Sequence, residues 1–184
     1  MKQTIRLSIV LATALTIAVV ASVAAEEFKA RLSGYQETPL TINSAGSGEF
    51  TAKTSKDGTM IDYELTYRDL TTAGTPNVQQ AHIHFGRPAT TGQIVLFLCT
   101  NLTPPAGVPA PQVCPSGPGE HTIKGTLTAA DVIARPTQGI DAGQAGLIEM
   151  IEAMRNGAAY ANVHTFTFPS GEIRARLGHP HHRP

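Results

Sequence analysis

Ile61-Asp62-Tyr63-Glu64-Leu65-Thr66-Tyr67-Arg68 sets four apolar residues against four polar ones in strict alternation. Successive side chains of a β-strand point to opposite faces, so this octet predicts a half-buried strand with Ile61, Tyr63, Leu65 and Tyr67 inward. Toward the N-terminus the same period of two recurs in Phe28, Ala30 and Leu32 and in Phe50 and Ala52, with Lys56-Asp57-Gly58 as the turn between two strands. Toward the C-terminus come residues 81–85, the continuous apolar run 94–99, then 122–127, 160–167 and 172–177, with Pro169-Ser170-Gly171 turning the chain before the last of them. The count is about eight strands, with no internal repeat and no second domain.

Two stretches depart from this period. In Leu127-Thr128-Ala129-Ala130-Asp131-Val132 a threonine cap is followed three residues later by an acid, the signature of a helix start. Over residues 145–156, Leu147, Ile148, Ile151 and Met154 share one helical face, and Gly157 is placed to end the helix in a left-handed conformation. Many short strands with one helical insert, in a chain with 13 prolines and 17 glycines, predict an antiparallel β-sandwich or barrel rather than a helical bundle. The 184 residues are 41% hydrophobic and carry 14 basic against 14 acidic residues, which fits neither a charged disordered chain nor a nucleic-acid-binding surface.

Lys2 and Arg6 precede an uncharged apolar run over residues 7–23, and Val23-Ala24-Ala25 puts small residues at −3 and −1 of a cleavage site. Residues 1–25 therefore read as a secretory signal peptide. The run approaches the roughly 18–20 residues of a membrane span, so an uncleaved anchor is the competing reading; its threonines and alanine-rich end favour cleavage. No cysteine follows it to take a lipid. Cleavage leaves a domain from Glu26 with 12 basic and 14 acidic residues, secreted or periplasmic and without a membrane span. In that oxidising setting Cys99 and Cys114, the two cysteines of the chain, are expected to form a disulfide. It closes a loop containing Pro104, Pro105, Pro109 and Pro111 and is worth about 3 kcal/mol in the chain-entropy description.

The chemistry on offer is histidine. In Ala81-His82-Ile83-His84-Phe85 both imidazoles share one strand face, while Ile83 and Phe85 take the other. His164, in Ala161-Asn162-Val163-His164-Thr165, completes a three-histidine set if its strand lies beside theirs. Imidazole suits copper and zinc, and three ligands leave one position open. The competing reading is a solvated strand face with hydrogen-bonded histidines. Glu172, Arg174 and Arg176 alternate with Ile173, Ala175 and Leu177 and are expected to form a solvent face with cross-strand ion pairs. Asp131 is a capping acid, Glu37 has no visible partner, and without a GxSxG motif or a phosphate-binding loop no catalytic residue is nominated. The tail Gly178-His179-Pro180-His181-His182-Arg183-Pro184 offers His179, His181 and His182 as a second, flexible chelator over residues 179–184. Asn101-Leu102-Thr103 matches a glycosylation sequon.

Four of these segments in order, Leu32-Ser33-Gly34-Tyr35-Gln36-Glu37-Thr38-Pro39, Ala81-His82-Ile83-His84-Phe85-Gly86, Leu127-Thr128-Ala129-Ala130-Asp131-Val132, and Ala159-Tyr160-Ala161-Asn162-Val163-His164-Thr165 with Pro169-Ser170-Gly171-Glu172-Ile173-Arg174, resemble the chordin (CHRD) domain. The resemblance runs over residues 28–177, within a domain of 26–178, and departs at Ala161, where the family commonly has valine, and at Ala175, where it has glycine. It implies a bacterial secreted module with no general enzymatic activity assigned. The HxH strand followed by Phe85-Gly86, with the later Val163-His164, is also similar to the copper-ligand strands of Cu/Zn superoxide dismutase, although a metal-bridging histidine is not identifiable. The expectation is thus a β-sandwich, immunoglobulin-like or Cu/Zn superoxide dismutase-like, acting as a binding module with copper ahead of zinc on His82, His84 and His164. The alternatives are an adhesive envelope module for protein or glycan, with structural histidines, and a dismutase-like metalloenzyme.

Overall fold

In the computed structural model, residues 25–71 and 77–178 are described. The expected leader, apart from Ala25, and the histidine-rich tail lie outside them. The strands are β1 (Glu27–Ser33), β2 (Ser47–Thr54), β3 (Met60–Arg68), β4 (Val78–Phe85), β5 (Gln93–Thr100), β6 (Glu120–Thr128), β7 (Ala159–Thr165) and β8 (Ile173–Leu177). They form one antiparallel sheet in the order β5-β4-β7-β8-β1-β2-β3-β6. The sheet curls into a nearly closed, sandwich-like barrel. Tyr63 of β3 donates its hydroxyl across the interior to the Leu98 carbonyl of β5 at 2.7 Å, and the segment after β6 bonds the β5 backbone through Ile133 N–H to Val95 O at 2.9 Å.

The strand that decides the fold behaves as its alternation requires: Ile61, Tyr63, Leu65 and Tyr67 are buried, and Met60, Asp62 and Arg68 are exposed. The barrel interior is apolar, with Phe28, Leu32, Phe50, Ile83, Leu96, Leu98, Val163 and Ile173 at its centre. The helix α1 (Gly143–Arg155) covers one side of this core with Leu147, Met150, Ile151 and Met154, and Gly157 follows it at φ 62°. Ile148 does not belong to that face and is 49% exposed, because Met150 takes the buried position instead. The threonine cap is present at Thr128, with Asp131 returning the capping bond to its backbone, yet it opens only the single 3-10 turn Ala129–Asp131. Val132 then leaves the helical region at ψ 119°, and Ile133 joins the edge of β5.

Cys99 and Cys114 are joined, with their Cα atoms 5.0 Å apart. The loop they close is also tied by Asn101, whose amide donates to the Val78 and Cys114 carbonyls at 2.9 Å and accepts from Cys114 N–H at 3.2 Å. The sequon asparagine is therefore occupied as a structural clamp. No helix among the described residues is long and apolar enough to cross a membrane.

Candidate metal centre

Neighbouring antiparallel strands project directly opposed residues to the same face. The β4–β7 ladder sets His82 opposite Asn162, His84 opposite Tyr160 and Gln80 opposite His164. Ile83, Ala161 and Val163 line the apolar interior, while the three histidines stand together on the outer face of the same strands. The condition set by the sequence, that the two histidine-bearing strands be neighbours, is met.

The rings of His82 and His84 are 4.5 Å apart between centroids, as are those of His82 and His164; His84 and His164 are 6.3 Å apart. One ring nitrogen from each lies within 4.8 Å of the others, and no further His, Cys, Asp or Glu among the described residues joins this group. A common ion bound at 2.0–2.1 Å brings ligand nitrogens to roughly 3–4 Å of one another, so a small closure of the rings completes a site. The cluster is not the solvated strand face of the competing reading: His82 is fully buried, and His84 and His164 are 6% and 7% exposed.

Two backbone carbonyls set the tautomers. His84 donates from Nδ1 to the Gly92 carbonyl, and His164 donates from Nδ1 to the Pro169 carbonyl, both at 2.9 Å. A carbonyl oxygen only accepts, so each of these nitrogens carries the proton and each Nε2 presents a lone pair, the arrangement by which outer partners orient metal-bound imidazoles. Among the described residues neither Nε2 has a partner, and neither nitrogen of His82 has one. Buried polar atoms are almost always hydrogen-bonded, so four unpartnered ring nitrogens in one cluster need an explanation. Burial holds all three imidazoles neutral: His84 is pushed down to about 3, His82 falls well below the ordinary value with His164 and His84 adding to the effect, and His164 is lowered against the pull of its bond to Pro169. Neutral imidazole is the form that ligates metals.

The surroundings overturn the expected solvent face on the last strand. Glu172 is fully buried and Arg174 is 2% exposed, because the chain around residues 34–44 and 86–92 lies over β8 and β7. They form no ion pair with each other. Glu172 accepts from the hydroxyls of Ser44, Thr71 and Thr165 and from Thr71 N–H at 2.6–2.9 Å. Arg174 donates to the carbonyls of Arg87, Pro88 and Thr90 and to the Thr38 hydroxyl. Its guanidinium carbon sits 3.4 Å from the centre of the Tyr160 ring, and that ring is stacked on His84 at 4.4 Å and 9°. Tyr160 Oη accepts from Gly92 N–H at 3.0 Å, so Gly92 is bonded on both sides, to Tyr160 through its nitrogen and to His84 through its oxygen. A Cβ on Gly92 would overlap the Phe85 carbonyl. Glu37 has the partner that the sequence did not show: it accepts from Asn162 Nδ2 at 2.5 Å.

Tyr160, Gly92 and Pro169 are the residues that sequence reasoning missed. The signal for Tyr160 was present, since it alternates with Asn162 and His164. Gly92 and Pro169 act through carbonyls, which every residue has, so no residue type marks them. The remaining described histidine, His121, lies apart, with its Nε2 3.2 Å from the Gly117 carbonyl and its ring against Tyr67.

No curated protein and no solved structure matches the chain. The sequence profile of the CHRD domain matches residues 28–177, from the first core residue of β1 to the last residue of β8. That span holds β1 from its second residue, the other seven strands whole, the disulfide and the three histidines, and the chain belongs to the CHRD domain family.

Proposed function

We propose that this protein is an exported binding module that holds one transition metal ion, copper ahead of zinc, on His82, His84 and His164. The observation that carries the reading is the convergence of buried ring nitrogens with no partner among the described residues. Two of the three ligands are already fixed in the required tautomer by carbonyls. Three imidazoles suit copper and zinc, and for the same donor set copper(II) is bound more tightly than zinc. Export accords with the leader-like start and with a cysteine pair joined as a disulfide.

When bound, the ion would supply Lewis acidity and one coordination position not filled by protein. The protein's part is to hold the lone pairs in place. Gly92 and Pro169 keep the protons on the far nitrogens, Tyr160 stacks on the His84 ring, and Arg174 fastens the 86–92 segment that carries the Gly92 carbonyl.

The test is copper and zinc content and affinity of the full chain with His179, His181 and His182 replaced by alanine, purified without a histidine tag. The same protein with His82→Ala, His84→Ala and His164→Ala is the comparison. One ion per chain is expected in the first and none in the second, with circular dichroism showing both folded. Equal uptake by the two would overturn the site. No uptake by the first would overturn metal binding and leave an adhesive module, to be sought by capture of envelope protein or glycan.

A further inference from the structure

Three neutral imidazoles bring no negative charge to a divalent cation, and a buried net charge is costly unless an opposite charge shares the region. Glu37 is the candidate to supply one. Asn162 stands opposite His82 in the β4–β7 ladder and two residues before His164, and its amide donates to Glu37 Oε1. Asn162 thus ties the carboxyl to the pair of strands that carries the histidines. Glu37 is 5% exposed and forms no salt bridge among the described residues. The other buried acid of this face, Glu172, has its oxygens filled by hydroxyl and amide donors.

The groups that face Glu37 are Asn162 and Tyr160 from β7, Arg174 from β8, Glu172 from the turn before it, and the Thr38 backbone. Arg174 favours the carboxylate from a distance, but its donors are engaged by Thr38, Arg87, Pro88 and Thr90. Burial outweighs these pulls, with Glu172 adding to it, and pushes Glu37 up to about 7. Two clefts meet at Glu37 and Thr38: one of about 230 Å³ bounded by Leu40, Phe168 and Gly171, and one of about 350 Å³ bounded by Tyr35, Pro88 and Arg176. They give the carboxyl a route to water.

We propose that Glu37 is the proton-exchanging counter-charge of the metal centre, holding a proton until a divalent ion enters and then releasing it to solvent. The inference rests on the metal-binding reading above. The O–H bond of the carboxylic acid breaks, its electron pair stays on the carboxylate, and the proton leaves through a cleft to buffer. Binding then adds one net positive charge to the region instead of two.

The experiment is calorimetric titration of zinc into the full chain carrying the three tail alanines, at pH 6.0, in two buffers of different protonation enthalpy. The same protein with Glu37→Gln is titrated in parallel. Protons displaced from the histidines are common to both and cancel in the difference. The parent is expected to release about 0.9 more protons per zinc than the variant, the fraction of a group near pKa 7 that is protonated at pH 6. Between pH 5 and 6.5 its zinc affinity is expected to climb up to about tenfold more per pH unit. Equal proton release by two zinc-binding proteins would overturn the inference and leave the metal centre standing. No zinc binding by the parent would overturn both. If the variant does not fold, infrared spectroscopy of the parent at pH 6.0 decides: zinc should abolish a protonated carboxyl stretch, and an unchanged band would overturn the assignment.

Discussion

The sheet is one continuous antiparallel ladder, yet its two halves solve different problems. On β1, β2, β3 and β6 the outer face is open to water and carries charges directly opposed across the strands: Arg31 and Glu49, Arg68 and Glu120, Glu64 and Lys124. Such exposed pairs contribute little, because water screens them and long side chains resist being fixed. On β4, β7 and β8 the outer face is roofed by loops, and every residue of β7 is buried on both sides. There Glu172, Arg174 and Asn162 each have specific partners, whereas four ring nitrogens of the histidine cluster have none among the described residues. The lesson is that in this fold a polar residue on the outer face is informative only where something covers it.

Replacing Arg174 should show the contrast most strongly. Arg174→Ala empties a buried position and takes the charged donor from three loop carbonyls and the Thr38 hydroxyl; hydrogen bonds to a charged group contribute about 1.5–3 kcal/mol each, less where water reaches the acceptor, as it does on the exposed residues 87–90. A loss of about 3 kcal/mol in denaturant unfolding is expected, together with weakened zinc binding. A loss below about 1 kcal/mol would mean that the roof is held without it.

Next in size is Gly92→Ala, which forces the backbone away from Phe85 and takes with it the carbonyl that orients His84. Loss of such an outer partner typically lowers metal affinity 10–100-fold. Zinc titration of the folded variant checks this, and unchanged affinity would show that the carbonyl bond is dispensable.

A pH series on the metal-free protein tests the buried half as a whole. The histidines are neutral in the fold, with His84 down to about 3, whereas unfolded histidine titrates near 6.5. The unfolded chain thus binds more protons, and stability is lost as pH falls from about 6.5 toward 3. Glu37 has the opposite sign: raised to about 7 in the fold from 4.5, it contributes stability that is lost as pH rises between those values. Three groups outweigh one, so net destabilisation on acidification below 6.5 is expected in urea unfolding, with a shallower slope in His84→Gln.

The smallest effect belongs to the open half. Arg68→Ala removes an exposed cross-strand pair at 3.1 Å and should change stability by less than about 1 kcal/mol while leaving zinc affinity alone. A larger effect would erase the distinction between the halves.

Much of this was legible residue by residue. Alternation in residues 61–68 placed β3, the two cysteines named their bond, and the HxH spacing put His82 and His84 on one face, because these features depend on backbone period and residue chemistry alone. Period gives the face of a strand but not what lies over it, which is why Glu172 and Arg174, patterned like Asp62 and Arg68, were expected in water and are buried. The same limit applies to Thr128, whose capping bonds are local and formed, while the length of the helix after it was decided by the competing backbone of β5. Sequence by itself determined the strands, the core face and the identity of the three histidines. Only the tertiary structure decided that β7 lies beside β4, that loops exclude water from their outer face, and that Glu37 joins them through Asn162, since strand order and loop cover are long-range contacts that no local pattern encodes.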